Sequence, residues 1–445
     1  MAETATPGGV VGRIYANLFK LLGGKAGAGL VSLAYLAIAA RALGPADYGV
    51  LVLVHGYVMA VGGVIEFPGW HAVVRYGAQA QQSGDAARLG RLLRFAGLVE
   101  AAGGVLAVAV AAALAPILGP RLGWSPAATA FALPYSLAVL ASIRATPAGY
   151  LQLAGRFDLI GAHNLVAPLV RLVGAIIAAI LHAGLLGFLI AWLVAALAEW
   201  AVMWGLGLMV ARRRMPGVSL IGGVRGVTRE NPGLWKFMAA ANADITLSEL
   251  STRMTPLIVG WILGPSAAGL YALAQRATVV LAQPAQILGQ AAYAELARLA
   301  AAGHRGQAMR AALAQCIGYA VLAAAPLVLL IAVFGRSLAV LMAGQAFAAA
   351  GGVMVWLAAA RTILLIAPPA SAALTALGRP GRSVAANMAG GLAMLAVLPI
   401  LLTTYGLLGA GAHAVIQAVL TSALLVAFVR HESREAAGVQ PAGAR

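Results

Sequence analysis

Long apolar runs separated by short polar segments occupy nearly the whole chain. A helix needs about 20 apolar residues to cross the roughly 30 Å hydrocarbon core of a membrane. Runs of that length predict an all-α membrane protein with twelve spanning helices, at about 17–40, 47–68, 92–118, 127–152, 160–182, 185–211, 234–262, 266–292, 309–334, 346–377, 384–404 and 407–429.

Short motifs recur at an offset of about half the chain. LGPADYGVL at 43–51 returns as LGPSAAGLY at 263–271, and GLLG at 184–187 returns at 406–409. Two related halves with six spans each have the same orientation in the membrane, which predicts a parallel repeat of two six-helix bundles. In each Gly-Pro pair, we expect the glycine to end one helix and the proline to begin the next.

The polar segments predict the domain boundaries. We expect an N-terminal six-helix lobe at 1–211, a cytoplasmic linker between the lobes at 212–233, a C-terminal lobe at 234–430 and a flexible cytoplasmic tail at 431–445. Two polar segments on the same side, 84–94 and 303–312, resemble each other and predict short amphipathic helices at the inner surface.

The distribution of basic residues predicts the orientation. With the N-terminus in the cytoplasm, most Lys and Arg residues fall in cytoplasmic segments, and only Arg41, Arg121 and Arg336 lie outside. The positive-inside rule therefore predicts cytoplasmic termini in a multi-pass protein of the bacterial inner membrane.

Composition supports the membrane class and argues against several others. Hydrophobic residues make up 62% of the chain and charged residues 10%, against about 25% charged in soluble domains. The net charge of +17 is explained by the loops, so we expect no nucleic-acid partner. One cysteine, scattered histidines and the lack of a Walker A sequence predict no metal site, no cofactor and no catalytic residues.

Ionisable residues inside predicted spans are the candidate functional groups, because each costs about 2.5–3.5 kcal/mol to insert. The seventh span carries Asn242, Asp244, Glu249 and Arg253. Asn242, Glu249 and Arg253 share one helical face, and Glu249 can pair with Arg253. The stripe lines a hydrated cavity or locks helix packing, and both interpretations stay open here.

Three further arginines, Arg171, Arg276 and Arg361, lie deep in their predicted spans. Arginine stays charged and offers a fork of donors that matches phosphate, so these residues suggest an anionic substrate. The alternative is a structural ion pair with Glu100 or Glu199. Arg144 lies nearer the inner end of its span, where it can reach the membrane surface.

Several motifs carry a family resemblance. They are ARALGP at 40–45 with Tyr48-Gly49, LQLAGR at 151–156, and LGP at 263–265 with Gly269-Leu270-Tyr271. With twelve predicted spans and a parallel repeat, the chain resembles the polysaccharide-type (Wzx-like) flippases of the multidrug/oligosaccharidyl-lipid/polysaccharide exporter superfamily.

The resemblance implies two helical bundles that alternate access around a central cavity, often cationic. It implies flipping of undecaprenyl-pyrophosphate-linked oligosaccharide for O-antigen, capsule or exopolysaccharide synthesis, with membrane lipids and a polysaccharide polymerase as partners. Arg253 and Arg276 are then the best cavity candidates, with Glu249, Asp244, Asn242, Arg361 and Arg171 beside them.

Other functions compete with this interpretation. A cation- or proton-coupled multidrug antiporter would use acidic cavity groups such as Asp244 and Glu249, although the arginines oppose it. A membrane glycosyltransferase or polymerase would need sizeable external loops, which the sequence lacks. A non-transporting scaffold would have little use for buried charges.

Overall fold

The computed structural model describes residues 7–66, 69–219, 221–279 and 307–438, and every regular element in those ranges is helical. The α-helices are α1 (Pro7–Ile65), α2 (Trp70–Gln82), α3 (Ala86–Leu118), α4 (Pro126–Tyr135), α5 (Ala145–Leu153), α6 (Phe157–His163), α7 (Val166–Ile180), α8 (Gly184–Arg214), α9 (Val227–Glu230), α10 (Leu234–Leu263), α11 (Pro265–Thr278), α12 (Gln307–Ala343), α13 (Ala350–Ile363), α14 (Ala367–Ala376), α15 (Pro380–Met388), α16 (Leu398–Tyr405) and α17 (Leu407–Gly438).

Eight helices in the described ranges are long and apolar enough to cross a membrane, or nine if the bent pair α15 and α16 forms one span. One of the eight, Gly27–Ile65, covers two predicted spans, because α1 consists of two helices that join at a kink at Gly44. The eighth predicted span, 266–292, runs beyond the described residues. The total of twelve and the cytoplasmic termini therefore stay predictions.

The two Gly-Pro pairs have the backbone that their repetition predicts. Gly44 breaks the helical geometry of α1 with φ 69° and ψ 176°. Gly264, between α10 and α11, has φ 85° and ψ 173°. A positive φ is strained for residues with a Cβ, so glycine is needed at both positions. The same dipeptide thus makes the same bend in both halves.

The polar segment before the third predicted span differs from its prediction. Residues 84–94 do not form a separate amphipathic helix, because α3 runs without a break from Ala86 to Leu118. Asp85 begins it, and its carboxylate accepts a hydrogen bond from the Arg88 backbone N–H at 2.8 Å, a standard N-cap. The segment just before it, Trp70–Gln82, forms a helix that was not predicted.

The chain divides into two compact units. The first contains residues 1–43 and 54–246, and the second contains 44–53 and 247–445. The first unit has a core between α2, α3, α5 and α8 that includes Val73, Leu151 and Met203. The second has a core of α12, α14, α15 and α17 that is rich in alanine, including Ala370 and Ala373. Small side chains let membrane helices approach closely.

Part of the predicted linker is bound to the first unit. Arg91 on α3 forms an ion pair with Glu230 on α9 at 2.8 Å. Arg88 donates to the Asn231 side chain at 2.9 Å, and the Tyr76 hydroxyl donates to the Pro232 carbonyl oxygen at 3.1 Å. These contacts fix the end of the linker beside the start of α3.

Two repeated glycines meet inside the second unit. A Cβ added to Gly269 would lie 2.5 Å from the Pro45 carbonyl oxygen and 3.1 Å from the Gly49 nitrogen. A Cβ added to Gly49 would in turn collide with the Pro265 carbonyl. The contact is reciprocal, because Pro45 and Gly49 correspond to Pro265 and Gly269 at the offset of 220. Both positions thus require glycine for close backbone packing.

Candidate functional site

The first buried carboxylate, Glu100 on α3, stabilises the start of another helix. Its side chain is fully buried. It accepts a hydrogen bond from the Thr146 backbone N–H at 2.8 Å and another from the Ala145 N–H. These are the first residues of α5, where N–H groups have no partner within the helix. Glu100 therefore satisfies backbone donors and does not pair with an arginine through these bonds.

The second carboxylate, Glu199 on α8, forms an ion pair with Arg144. The Arg144 guanidinium therefore has an anionic partner within the unit, and its reach to the membrane surface stays a prediction. His163 contacts the same turn through a hydrogen bond between its Nε2 and the Glu199 carbonyl oxygen at 2.9 Å. Both carboxylates named as possible arginine partners are thus bonded in the first unit, and only Glu199 is bonded to an arginine.

Arg171 lies in a cluster of aromatic and polar side chains inside the first unit. Its Nη1 donates to the Tyr35 hydroxyl at 3.2 Å, and its Nη2 is 3.3 Å from His55 Nε2. Its guanidinium carbon lies 4.9 Å from the centre of the Trp192 ring. Cation–π contacts of this kind stabilise a desolvated cation. No carboxylate in the described residues forms an ion pair with Arg171, so neutral side chains stabilise its charge.

The hydrogen bonds in this cluster fix the tautomer of His55. Arginine can only donate, so His55 Nε2 accepts from Arg171. The proton of the neutral ring is then on Nδ1, which donates to the Tyr135 hydroxyl at 2.9 Å. The first-unit cluster, defined as Tyr35, His55, Tyr135, Arg171 and Trp192, therefore satisfies most of its donors internally. Within the described part of the chain, the buried Nε of Arg171 and Nε1 of Trp192 have no hydrogen-bond partner.

Arg361 lies on a polar cavity of about 130 Å³ inside the second unit. The cavity is formed by α10, α11, α13 and α17. Its polar side chains are Thr255, Tyr271, Gln275, Thr278, Arg361 and Gln417.

The cluster and the cavity use corresponding positions of the two halves. Tyr35 and Thr255 are related by the offset of 220, and so are His55 and Gln275. The arginines break this correspondence, because Arg171 is on α7 and Arg361 is on α13, which follow different repeat positions. The arginines are visible in the sequence as charged residues in apolar spans. Adding the repeat offset of 220 to Tyr35 and His55 points to Thr255 and Gln275, which line the cavity with Arg361.

The predicted stripe on the seventh span is only partly described. Asn242 is buried, and neither its Oδ1 nor its Nδ2 has a hydrogen-bond partner in the described residues. The side chains of Asp244 and Glu249 lie outside those residues, so the predicted pair of Glu249 with Arg253 is untested. Arg253 is half-buried on α10, and Arg276 is exposed near the end of α11. No three His, Cys, Asp or Glu side chains in the described residues form a possible metal site.

Comparison with known proteins decides the family. Residues 38–350 match the family described as "Polysaccharide biosynthesis protein". The chain belongs to this family. It is 29% identical over 270 residues to the inner membrane protein YghQ of Escherichia coli strain K12, which covers 61% of this chain and 76% of that protein.

The fold is that of two groups of solved transporters. The chain is similar to the lipid II flippase MurJ in an inward closed conformation, with a TM-score of 0.71 and 11% identity over 93% of this chain and 88% of that one. It is also similar to an inward-facing multidrug resistance transporter of the MATE family in the MOP superfamily, with a TM-score of 0.66 and 14% identity over 96% of both chains. These likenesses identify a multi-span membrane protein with a flippase or transporter fold.

Proposed function

We propose that this member of the polysaccharide biosynthesis family flips a polyprenyl-pyrophosphate-linked oligosaccharide across the bacterial cytoplasmic membrane. The sugars would enter from the cytoplasmic leaflet, and the product would serve O-antigen, capsule or exopolysaccharide synthesis. Alternating access of the two lobes would carry the head group while the polyprenyl tail stays in lipid.

The observation that carries the proposal is the imbalance of charge among the described helices. Glu100 accepts hydrogen bonds from backbone N–H groups, and Glu199 forms an ion pair with Arg144. Arg171, Arg276 and Arg361 have no carboxylate within ion-pair distance in the described residues. Arginines inserted at such a cost without internal anions favour a substrate that supplies negative charge, and pyrophosphate does so with oxygens that match the guanidinium fork.

Exposure separates the arginines into different roles. Arg276 is exposed, and Arg253 is half-buried on the preceding helix, so these two are our candidates for direct contact with the pyrophosphate. Arg171 is enclosed by its own aromatic neighbours, and Arg361 lines the small internal cavity. We therefore assign Arg276 the main role in binding the head group, with Arg253 beside it and Asn242, Asp244 and Glu249 near the sugars.

The charge imbalance also weighs against the antiporter alternative. A cation or proton antiporter needs an acidic group that is available in the membrane, and both the buried Glu100 and the half-buried Glu199 already have partners. Asp244 and Glu249 remain possible acidic groups for that function. A glycosyltransferase or polymerase would need catalytic groups outside the membrane, which the chain does not place on long external loops.

The test is flipping of fluorescent lipid-linked oligosaccharide in proteoliposomes, with Arg276→Gln and Arg253→Gln beside the wild type. Loss of a charge-assisted contact worth about 1.5–3 kcal/mol predicts a flipping rate about 10- to 150-fold lower for Arg276→Gln. Arg336→Gln is the matched control, because Arg336 is also exposed but belongs to the predicted outer side. We expect it to flip at the wild-type rate.

Two outcomes would contradict the proposal. A wild-type protein that moves no lipid-linked oligosaccharide but exchanges cations for protons would be an antiporter. If Arg276→Gln, Arg253→Gln and Arg336→Gln all flipped the substrate at the same rate, Arg276 and Arg253 would have no role in binding the head group. Thermal unfolding of each variant in detergent separates both outcomes from misfolding.

A further inference from the structure

The cavity at Arg361 has the properties of a binding site that its own side chains do not fill. Tyr271 is only 4% exposed, and Thr255 is 7% exposed. Arg361, Gln275 and Gln417 are each half-buried on its wall. The polar groups come from four helices and meet at one small space.

Four donor groups on this wall have no protein acceptor in the described residues, whereas the Thr278 hydroxyl donates to the Ala274 carbonyl oxygen at 3.1 Å. The Arg361 guanidinium, the Tyr271 hydroxyl and the Gln275 side-chain amide form no hydrogen bond there, and the Gln417 amide is in the same state. A hydrogen bond to a charged group contributes about 1.5–3 kcal/mol. An anion in this cavity can therefore gain from each of these four groups.

The size of the cavity limits the ligand. A volume of about 130 Å³ is well below the roughly 300–1,000 Å³ of sites that hold small organic ligands. A sugar or a pyrophosphate head group would need more room, whereas one inorganic ion with a few waters would fit.

Charge limits the ligand further. Arginine keeps its positive charge, and no carboxylate in the described residues faces it in the cavity. The other wall groups are neutral. One negative charge would neutralise the site, whereas a phosphate dianion would leave an excess negative charge inside the membrane, at a high desolvation cost.

The first unit shows how the same repeat positions appear when no ligand is needed. There, His55 stands where the second unit has Gln275, and Tyr35 stands where it has Thr255. His55 and Tyr35 both bond Arg171, and Trp192 covers the guanidinium. The second unit has smaller or more flexible neutral groups at the two positions, and its arginine remains without such partners.

We propose that the second unit binds one monovalent inorganic anion of the chloride class in this cavity. Arg361 supplies the charge, and the Tyr271 hydroxyl donates a hydrogen bond. The side-chain amides of Gln275 and Gln417 complete the anion's shell. This site is separate from the head-group contact assigned to Arg276, so its occupancy does not depend on the flipped substrate.

The experiment is equilibrium binding of radiolabelled chloride to the full chain in detergent, with gluconate as the balancing anion. The wild type should bind about one chloride per chain in a saturable manner. Arg361→Gln should weaken binding at least tenfold, and Tyr271→Phe should weaken it about 10- to 150-fold through loss of one hydrogen bond to a charged ligand. Arg336→Gln, which removes an exposed arginine, should bind as the wild type does.

A further variant and a competition measurement complete the test. Arg361→Lys retains the charge and should bind more tightly than Arg361→Gln, and Tyr271→Phe carries the test if Arg361→Gln fails to fold. Absence of saturable chloride binding in the wild type would mean that water alone occupies the cavity and would overturn the proposal. Displacement of chloride by pyrophosphate at lower concentrations than by bromide would also overturn it, because the site would then belong to the substrate.

Discussion

The reciprocal glycine contact makes a quantitative prediction for Gly269→Ala. The new Cβ would lie 2.5 Å from the Pro45 carbonyl oxygen, 3.1 Å from the Gly49 nitrogen and 3.2 Å from the Gly49 Cα. All three are backbone atoms, which cannot rotate away. Ordinary contact begins at 3.4 Å, so the two segments must separate by about 1 Å before repulsion is relieved.

The magnitude follows from two opposing terms. Overpacking a tight contact costs typically about 1–3 kcal/mol, whereas replacing glycine by alanine inside a helix gains up to about 1 kcal/mol. Gly205→Ala supplies the second term alone, because Gly205 lies inside α8 and an added Cβ there meets nothing within 4 Å. We therefore expect Gly269→Ala to be about 1–3 kcal/mol less stable than Gly205→Ala.

The assay is unfolding of the purified variants in one detergent, followed by loss of the monodisperse peak in size-exclusion chromatography. Gly49→Ala should behave like Gly269→Ala, since it meets the same backbone from the other side. If Gly269→Ala matched Gly205→Ala in stability, the backbone contact would not be tight in the folded protein and the reasoning would fail.

Three other predictions follow from the hydrogen bonds and ion pairs of the first unit. Glu100→Gln should lower stability by about 1–3 kcal/mol in an unfolding assay, because an NH2 donor would replace one of the two oxygens that accept from the N–H groups of Ala145 and Thr146. Arg144→Gln should lower the free energy of unfolding by about 1–3 kcal/mol. This is less than the loss on breaking a fully buried ion pair, because Arg144 is 35% exposed. Adding Glu199→Gln should recover part of that loss, and a purely additive double variant would contradict the ion pair. Arg91→Ala should change stability by less than about 1 kcal/mol, because its pair with Glu230 is near the surface; a larger loss would show that the linker contact stabilises the unit.

The helical fold could be predicted because its signal is repeated along the chain. Apolar runs indicate spans, and the Gly-Pro pairs mark the bends at Gly44 and Gly264. The segment 84–94 was misassigned, because polarity alone does not distinguish a surface helix from the first turns of a longer one. Asp85, which caps α3, is the local signal for a single continuous helix. Trp70–Gln82 was missed because a polar amphipathic helix lacks the long apolar run on which the spans were assigned.

The candidate site could be predicted only in part. An arginine in an apolar span is visible in the sequence, so Arg171 and Arg361 were identified. Their neighbours come from other helices, and periodicity along one helix does not say which helices pack together. His55 therefore looked like one scattered histidine until the structure placed it between Arg171 and Tyr135.

The two units share backbone features of the repeat but differ in where their arginines lie. Backbone features occur at equivalent positions, as Gly44 and Gly264 show. The arginines inside the two units do not, since Arg171 and Arg361 follow different repeat positions. An ion pair copied with the repeat would occupy the same two positions in each half. A positive charge inside each unit, reached from different helices and without a carboxylate partner in the described residues, instead indicates that the charge itself is the shared requirement. In the first unit neutral side chains stabilise that charge, and in the second unit the proposed anion would do so.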